Sequence, residues 1–218
     1  KLKNNSKISK FVTNNKKSIA VRFPKHKLLR NLLKNLDYPV AAPSANISSR
    51  LSSVKPSDVK EEFGSKIKYI LNGGKSKIGV ESTILNLLEK PSLLRYGGLD
   101  TKKIENVLKK KLLINTNSKK KLSPGLFPLH YSPGIPLRVN VKKPKKDEAY
   151  LLIKKRKSKL KNYYYLSKVK NIDEAAKNLY STLRKIKNDG FKKIAVEKIP
   201  NKGLGKTIND RLKRASKY

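Results

Sequence analysis

The side chains in this sequence best suited to chemistry are hydroxyls, an amide and arginines, placed at expected strand ends and glycine turns: Arg22, Ser44, Asn46, Ser48, Ser52, Ser82, Thr83 and Arg95. A guanidinium offers a planar fork of donors to a carboxylate or phosphate, and hydroxyls donate to phosphate oxygens, so this inventory suits the holding of anions. No general base accompanies it, which makes positioning a better account than acid–base work. Cysteine is absent, and the two histidines, His26 and His130, lie far apart. Disulfides and thiolate metal sites are thereby excluded and a histidine metal cluster is disfavoured. A Walker-type phosphate loop, a dinucleotide glycine fingerprint, a His-Glu metal helix and a nucleophile elbow are missing as well. Any nucleophile is then an oxygen, a nitrogen or the substrate itself. Each residue also has an ordinary reading: Arg22 as a surface charge, 44–53 as a polar loop, Ser82 and Thr83 as strand residues, Arg95 as a strand-end side chain reaching for water.

The elements that must position these groups are legible in part. The run SIAVRF at 18–23 is rich in β-formers and stops at Pro24, after which Leu28, Leu29, Leu32, Leu33 and Leu36 recur at helical spacing. A short apolar segment at 40–42 runs into Pro43-Ser44-Ala45-Asn46, whose small residues admit close approach of a ligand to the backbone. Pro56-Ser57-Asp58 ahead of Val59 and Phe63, with Gly64 behind, frames a helix. Strands are predicted at 67–71, 80–87 and 92–94, and Gly97-Gly98 turns the chain into a helix capped by Asp100 and carrying Ile104, Val107 and Leu108.

From Leu113 to about Pro136 periodicity disappears under repeated proline and glycine, which reads as a linker with ordered turns. The pattern then restarts with strands at 149–153 and 163–166, a helix at 173–189 closed by Gly190, a strand at 193–198 and a last helix from about Lys206. Strands alternating with helices imply a small α/β domain with a largely parallel sheet. The expected division is a domain at 1–112, a connector at 113–137 and a second domain at 138–218.

Of 218 residues, 54 are basic and 15 acidic, giving a formal charge of +39, while 37% are hydrophobic, enough to bury a core. Lysines run along the whole length, with denser patches at 109–111, 119–121, 142–146 and 154–161. Two readings stay open: a basic face for a polyanion such as tRNA, or the lysine-rich surface that an AT-rich genome writes at tolerant positions. Aromatic residues are not interleaved with the patches as a single-strand stacking platform requires, and Tyr163 to Tyr165 reads as a buried strand. No apolar run approaches the roughly 18 to 20 residues that span a bilayer and no secretory signal opens the sequence, so cytoplasm is the expected compartment and no membrane partner is expected. The chain has no methionine and opens on Lys1, which predicts a fragment or a processed chain.

Taken together the motifs resemble a known family. PVAAPSANISSRLS, then ILNGGKSKIGVESTILNL and LLRYGGLDTKKIENVL, resemble the YrdC-like domain of threonylcarbamoyl-AMP synthases. SPGLFPLHYSPGIPL resembles the connector of the long, two-domain type, and LYSTLRKI with IAVEKIPNKGLGKTINDRLKRA resembles its C-terminal domain. The resemblance runs from about Lys17 to the end. The fold it implies is α/β: a partial YrdC-like twisted-sheet domain plus a small Rossmann-like C-terminal domain. The activity it implies is a nucleotidyl transfer in which threonine, bicarbonate and ATP give L-threonylcarbamoyl-AMP and pyrophosphate. A downstream tRNA threonylcarbamoyl transferase complex then uses the product to modify the adenosine beside the anticodon, and double-stranded RNA binding belongs to the same picture. Carried over by motif, Ser18, Ser44, Asn46, Ser52, Arg95 and Tyr131 are expected at the ATP, and Arg22, Ala42 and Ser82 at the threonine. The threonine carbamate is the nucleophile, so no catalytic residue is expected; Mg2+ is expected with ATP. Tyr131 makes the connector a lid candidate, and His130 reads as connector structure. The alternatives are a basic RNA-binding module with a vestigial nucleotide pocket, and a non-catalytic partner of the tRNA-modifying complex.

The sequence departs from the family pattern in three places. The Lys-x-Arg motif and the threonine-contacting segment that stand early in the family's domain have no counterpart, which predicts an N-terminally truncated chain, impaired in catalysis and prone to aggregate through unpaired sheet edges. Phe127-Pro128-Leu129 replaces the basic and aromatic triplet common in the connector, and Ser49 stands where glycine is common.

Overall fold

The computed structural model describes residues 8–13, 15–16, 18–116, 130–157 and 160–217. The chain forms two compact units, Lys1–Ser44 and Ala45–Tyr218. Phe127-Pro128-Leu129 and the Ser-Pro-Gly of the connector lie outside the described residues.

In the first unit the leucine spacing produces helix α2, Lys27–Lys34, preceded by a single turn, α1, Lys10–Thr13. None of α2 is buried, and Arg30 lies over the Phe23 ring at 5.1 Å. The strands predicted at 18–23 and 40–42 form no β-ladder among the described residues, and Val21 and Phe23 are each 87% exposed. Alternating β-formers supply a face but not the neighbouring strand whose backbone and side-chain pairs make that face stable.

The second unit holds two sheets. In the first, β1 (Ile84–Asn86) runs antiparallel to β2 (Ser92–Arg95), and β2 parallel to β3 (Leu113–Ile114). Every residue of β2 is buried. Helix α3, Pro56–Phe63, starts on a proline and ends at Gly64, and α4, Thr101–Leu108, is capped by Asp100, whose carboxylate accepts the Lys102 N–H at 2.9 Å. The segment 67–71 forms no ladder, leaving Tyr69 and Leu71 exposed, and β1 is shorter than the predicted 80–87. The reason for the shortening is local: the Glu81 carbonyl accepts the Gly98 N–H at 2.8 Å, and the Ser82 carbonyl is taken by Arg95, so neither serves a ladder.

The second sheet is wholly parallel in the order β4 (Leu137–Arg138), β7 (Ile194–Val196), β5 (Ala149–Lys154), β6 (Tyr163–Ser167). Side chains alternate across it. Ala149, Leu151 and Ile153 face the main core with α5 (Ile172–Asn188) and α6 (Gly205–Ala215), while Tyr150, Leu152 and Ala195 pack on the other face. Among the three tyrosines expected in a buried strand, Tyr164 is buried, with its hydroxyl 2.7 Å from Asp189 Oδ2, but Tyr165 points out. Strands β3 and β4 sit at the two ends of the segment read as linker; they are two residues each, and only a neighbouring strand makes them visible. Leu51, Val54, Tyr131 and Ile135 share one buried cluster with Leu179, Leu183, Ile208 and Leu212, so the core runs without a break from the serine loop and connector into the C-terminal helices.

Candidate functional site

Four of the nine residues expected at substrates converge in the second unit. Arg95, at the end of β2, is only 5% exposed, and its guanidinium turns back onto Ser82: Nε and Nη2 donate to the carbonyl oxygen at 3.2 and 2.9 Å, and Nη2 lies 3.4 Å from Oγ. The two segments press together at Gly97, where a Cβ would stand 2.2 Å from both the Ser82 carbonyl carbon and the Thr83 nitrogen. No side chain fits there. Thr83 locks the same turn, its Oγ1 donating to the Leu99 carbonyl at 2.8 Å and accepting the Leu99 N–H at 3.1 Å. That is a structural role, unlike the anion contact its hydroxyl suggested.

Ser52 reaches the cluster through a residue that sequence reasoning passed over, Glu81. The carboxylate accepts Ser52 Oγ at 2.5 Å, Tyr180 Oη at 2.9 and 3.0 Å, and Arg211 Nε at 2.9 Å. Burial pushes its pKa up, but the Arg211 charge and the Ser52 hydroxyl, with the further hydrogen bonds the carboxylate accepts, outweigh burial and hold it below the ordinary 4.5. Arg211 is 1% exposed; it also meets Asp210, donates to the Tyr96 carbonyl at 2.7 Å, and lies 4.6 Å over the ring of Tyr131. Burial works against its charge, and the surrounding phenols and Glu81 nonetheless raise its pKa above the usual value.

Tyr131 is fully buried at φ 62°, its ring stacked on Tyr180 at 5.9 Å and touching His130 at 4.0 Å. Burial raises the phenol pKa, and its hydroxyl has no hydrogen-bond partner among the described residues. Burial lowers the pKa of His130, which keeps the imidazole neutral at ordinary pH. Signals for the missed residues are in the sequence: Glu81 is one of 15 acidic groups in a very basic chain and sits beside Ser82, and Arg211 lies between Ile208 and Leu212 on the apolar stripe of its helix.

Asn46 holds its own loop, Nδ2 donating to the Ile47 and Arg50 carbonyls at 2.8 and 3.2 Å, beside Ala45 at φ 51°. Ser48 is exposed. Ser18, Arg22, Ala42 and Ser44 belong to the first unit, where Ser18 is half-buried and the other three are exposed.

Chemically, Glu81 is an anion fixed by three partners and unsuited to take a proton. The groups left for a ligand are the exposed Ser82 hydroxyl and the Tyr131 phenol, beside two buried guanidiniums. Among the described residues no group of three or more His, Cys, Asp or Glu side chains converges to hold a metal, and no helix is long and apolar enough to cross a membrane.

A family model described as telomere recombination, covering the Sua5, YciO and YrdC proteins, matches residues 1–97, and one described as the threonylcarbamoyl-AMP synthase C-terminal domain matches residues 99–217. The chain is 32% identical to the threonylcarbamoyl-AMP synthase of Pyrococcus abyssi over 233 residues, covering 97% of this chain and 67% of that one. It is 29% identical to that of Bacillus subtilis, covering 96% and 66%, and 30% identical to that of Schizosaccharomyces pombe, covering 97% and 60%. The chain thus spans about two thirds of the length of these relatives. The crystal structure of P. abyssi Sua5 complexed with L-threonine superposes with a TM-score of 0.84 at 31% identity, over 96% of this chain and 67% of that one. A variant of the same protein with a histidine and the adjacent tyrosine changed to alanine gives 0.82 at 30%.

Proposed function

The chain belongs to the two-domain threonylcarbamoyl-AMP synthase family, and from that premise we propose that it condenses L-threonine, bicarbonate and ATP into L-threonylcarbamoyl-AMP, releasing pyrophosphate, as the activated donor for tRNA modification. The single observation that carries this reading is the convergence of Ser52, Ser82, Arg95 and Tyr131, predicted as substrate contacts from separated motifs, around one buried carboxylate.

In the proposed reaction the threonine amine forms a C–N bond to the bicarbonate carbon with loss of water, giving N-carboxythreonine. A carbamate oxygen then attacks the α-phosphorus of ATP, the bond to the bridging oxygen breaks, and pyrophosphate leaves with that electron pair. The nucleophile belongs to the substrate, so the protein's part is to hold two anions together and to stabilise charge at phosphorus. Ser82 Oγ is assigned to threonine. Ser52, Arg95, Tyr131 and Asn46 are assigned to the nucleotide side, Tyr131 as part of a cover against water. Ser18, Ser44, Arg22 and Ala42 carry their assignments by motif alone. Mg2+ arrives on the ATP phosphates, and the product passes to a tRNA threonylcarbamoyl transferase complex in the cytoplasm. The domain division proposed is 1–112, 113–137 and 138–218.

The test is pyrophosphate release from ATP by the chain with threonine and bicarbonate together, with binding of each substrate measured by calorimetry. Release that needs all three substrates and falls at least tenfold in Ser82→Ala supports the reading. Binding of tRNA with steep salt dependence, and of neither ATP nor threonine, would replace it with the RNA-binding alternative.

A further inference from the structure

Helix α6 grips the candidate site with one stripe of side chains. Thr207, Arg211 and Arg214 fall at helical spacing on one face, and each donates to a backbone carbonyl in the preceding half of the unit: Thr207 Oγ1 to Gly97 at 2.9 Å, Arg211 Nη2 to Tyr96 at 2.7 Å, Arg214 Nη2 to Thr116 at 3.2 Å. Arg211 and Tyr180, from the two C-terminal helices, also hold the side chain of Glu81, Arg211 at Oε2 and Tyr180 at both oxygens, with Ser52 at Oε1. The residue that follows is Ser82, whose carbonyl is held by Arg95. The Glu81 side chain is thus held by α5 and α6, and the carbonyl of the next residue by Arg95.

We propose that Arg211 and Tyr180 are positioning residues that act through Glu81 on Ser82 and Arg95, so that the C-terminal domain completes the synthase site. This rests on the function proposed above. A buried ion pair is a weak source of stability, because desolvation consumes most of the attraction, but it fixes geometry strongly. Together with Asp210, Glu81 offsets the charge of the buried guanidiniums Arg95 and Arg211. Without it the two cations repel each other at the turn that carries Ser82. Arg211 makes its contacts in three directions through one planar fork, to Glu81, Asp210 and Tyr96, which a lysine's single ammonium on a flexible stem does not reproduce.

The experiment compares the full chain with Arg211→Lys, Tyr180→Phe and, as a stability control, Asn171→Ala, which removes the α5 cap, a side chain that accepts hydrogen bonds from the Asp173 and Glu174 amides. Three quantities are measured: melting temperature, threonine affinity by calorimetry, and hydrogen exchange at the amides of 81–84 and 96–99. The expected result is about a tenfold loss of threonine affinity in Arg211→Lys, with faster exchange at both segments. Asn171→Ala, matched or worse in melting temperature, leaves both unchanged. Equal effects on affinity in Asn171→Ala and Arg211→Lys would overturn the proposal. Should the parent chain bind neither threonine nor ATP, the functional reading fails, and exchange still decides the positioning role: unaltered protection of 81–84 and 96–99 in Arg211→Lys and Tyr180→Phe would refute it.

Discussion

Glu81 and Arg211 stand 130 positions apart in the chain and 2.9 Å apart in space, the arginine almost wholly sealed from solvent and the carboxylate nearly so. Their pairing ties the turn that carries Ser82 to the last helix. It also sets an acid limit on the fold. The Glu81 pKa lies below the usual 4.5, so its contribution is fully present above that value and is lost as pH falls through the lowered one. Melting temperature is expected to hold steady from pH 8 to about 5 and to drop below about 4.5. Glu81→Gln removes the Glu81 part of that slope and, by leaving Arg211 buried with only Asp210 as counterion, costs about 3 kcal/mol at neutral pH. Denaturant melts across the pH range read both.

Asp58 is the second buried carboxylate whose loss is expected to be severe. It is 1% exposed, accepts the Val54 N–H at 2.9 Å, and faces Arg184 Nε at 3.6 Å and Lys55 at 4.0 Å. Asp58→Ala strands both the amide and the guanidinium, and about 3 kcal/mol of unfolding free energy should go with them. Asp58→Asn keeps an acceptor for Val54 and should cost visibly less. Equal losses in the two variants would show that the charge, and not the hydrogen bond, carries the effect.

Two glycines separate backbone strain from steric exclusion. Gly190 has φ +90° and open space around a Cβ, so Gly190→Ala costs only the strain of a left-handed alanine, about 1 kcal/mol. At Gly97 the Cβ meets backbone at 2.2 Å, and backbone cannot rotate away. Gly97→Ala should destabilise by several times as much and disturb Ser82 directly, seen as lost threonine binding in whatever protein remains folded.

The Tyr131 hydroxyl yields the opposite sign. A buried phenol without a hydrogen-bond partner among the described residues contributes nothing but desolvation cost to the empty protein, so Tyr131→Phe should leave the melting temperature unchanged or raise it. If the phenol meets nucleotide as proposed, the same variant weakens ATP binding about tenfold. A stabilised variant with unchanged ATP affinity would remove Tyr131 from the nucleotide contacts.

Where local signals were complete, sequence reading and structure agree. Asp100 and the glycine after α5 mark helix ends through bonds made within a few residues, and the apolar runs at 149–153 and 163–166 find one another as parallel neighbours because each is buried on a face the helices cover. The motifs around Ser52, Ser82, Arg95 and Tyr131 were read through their resemblance to a family, and the structure brings these four residues together about Glu81. The runs at 18–23 and 67–71 show the limit, since β-formers describe a surface and a strand needs a partner.

By itself, then, the sequence determined the helices from α2 onward, the alternating pattern after the connector and the inventory of hydroxyls and arginines fit to hold anions. Only the tertiary structure decided what those groups do for one another. Glu81, Tyr180 and Arg211 go unassigned in the sequence because the pairings that define them span from 99 to 130 positions of chain; the scarcity of acids and the apolar stripe of α6 single out Glu81 and Arg211 but name no partner for either. Burial then gives those pairings their strength: in a desolvated cluster each charge must find its counterpart, and folding is what brings the counterpart there.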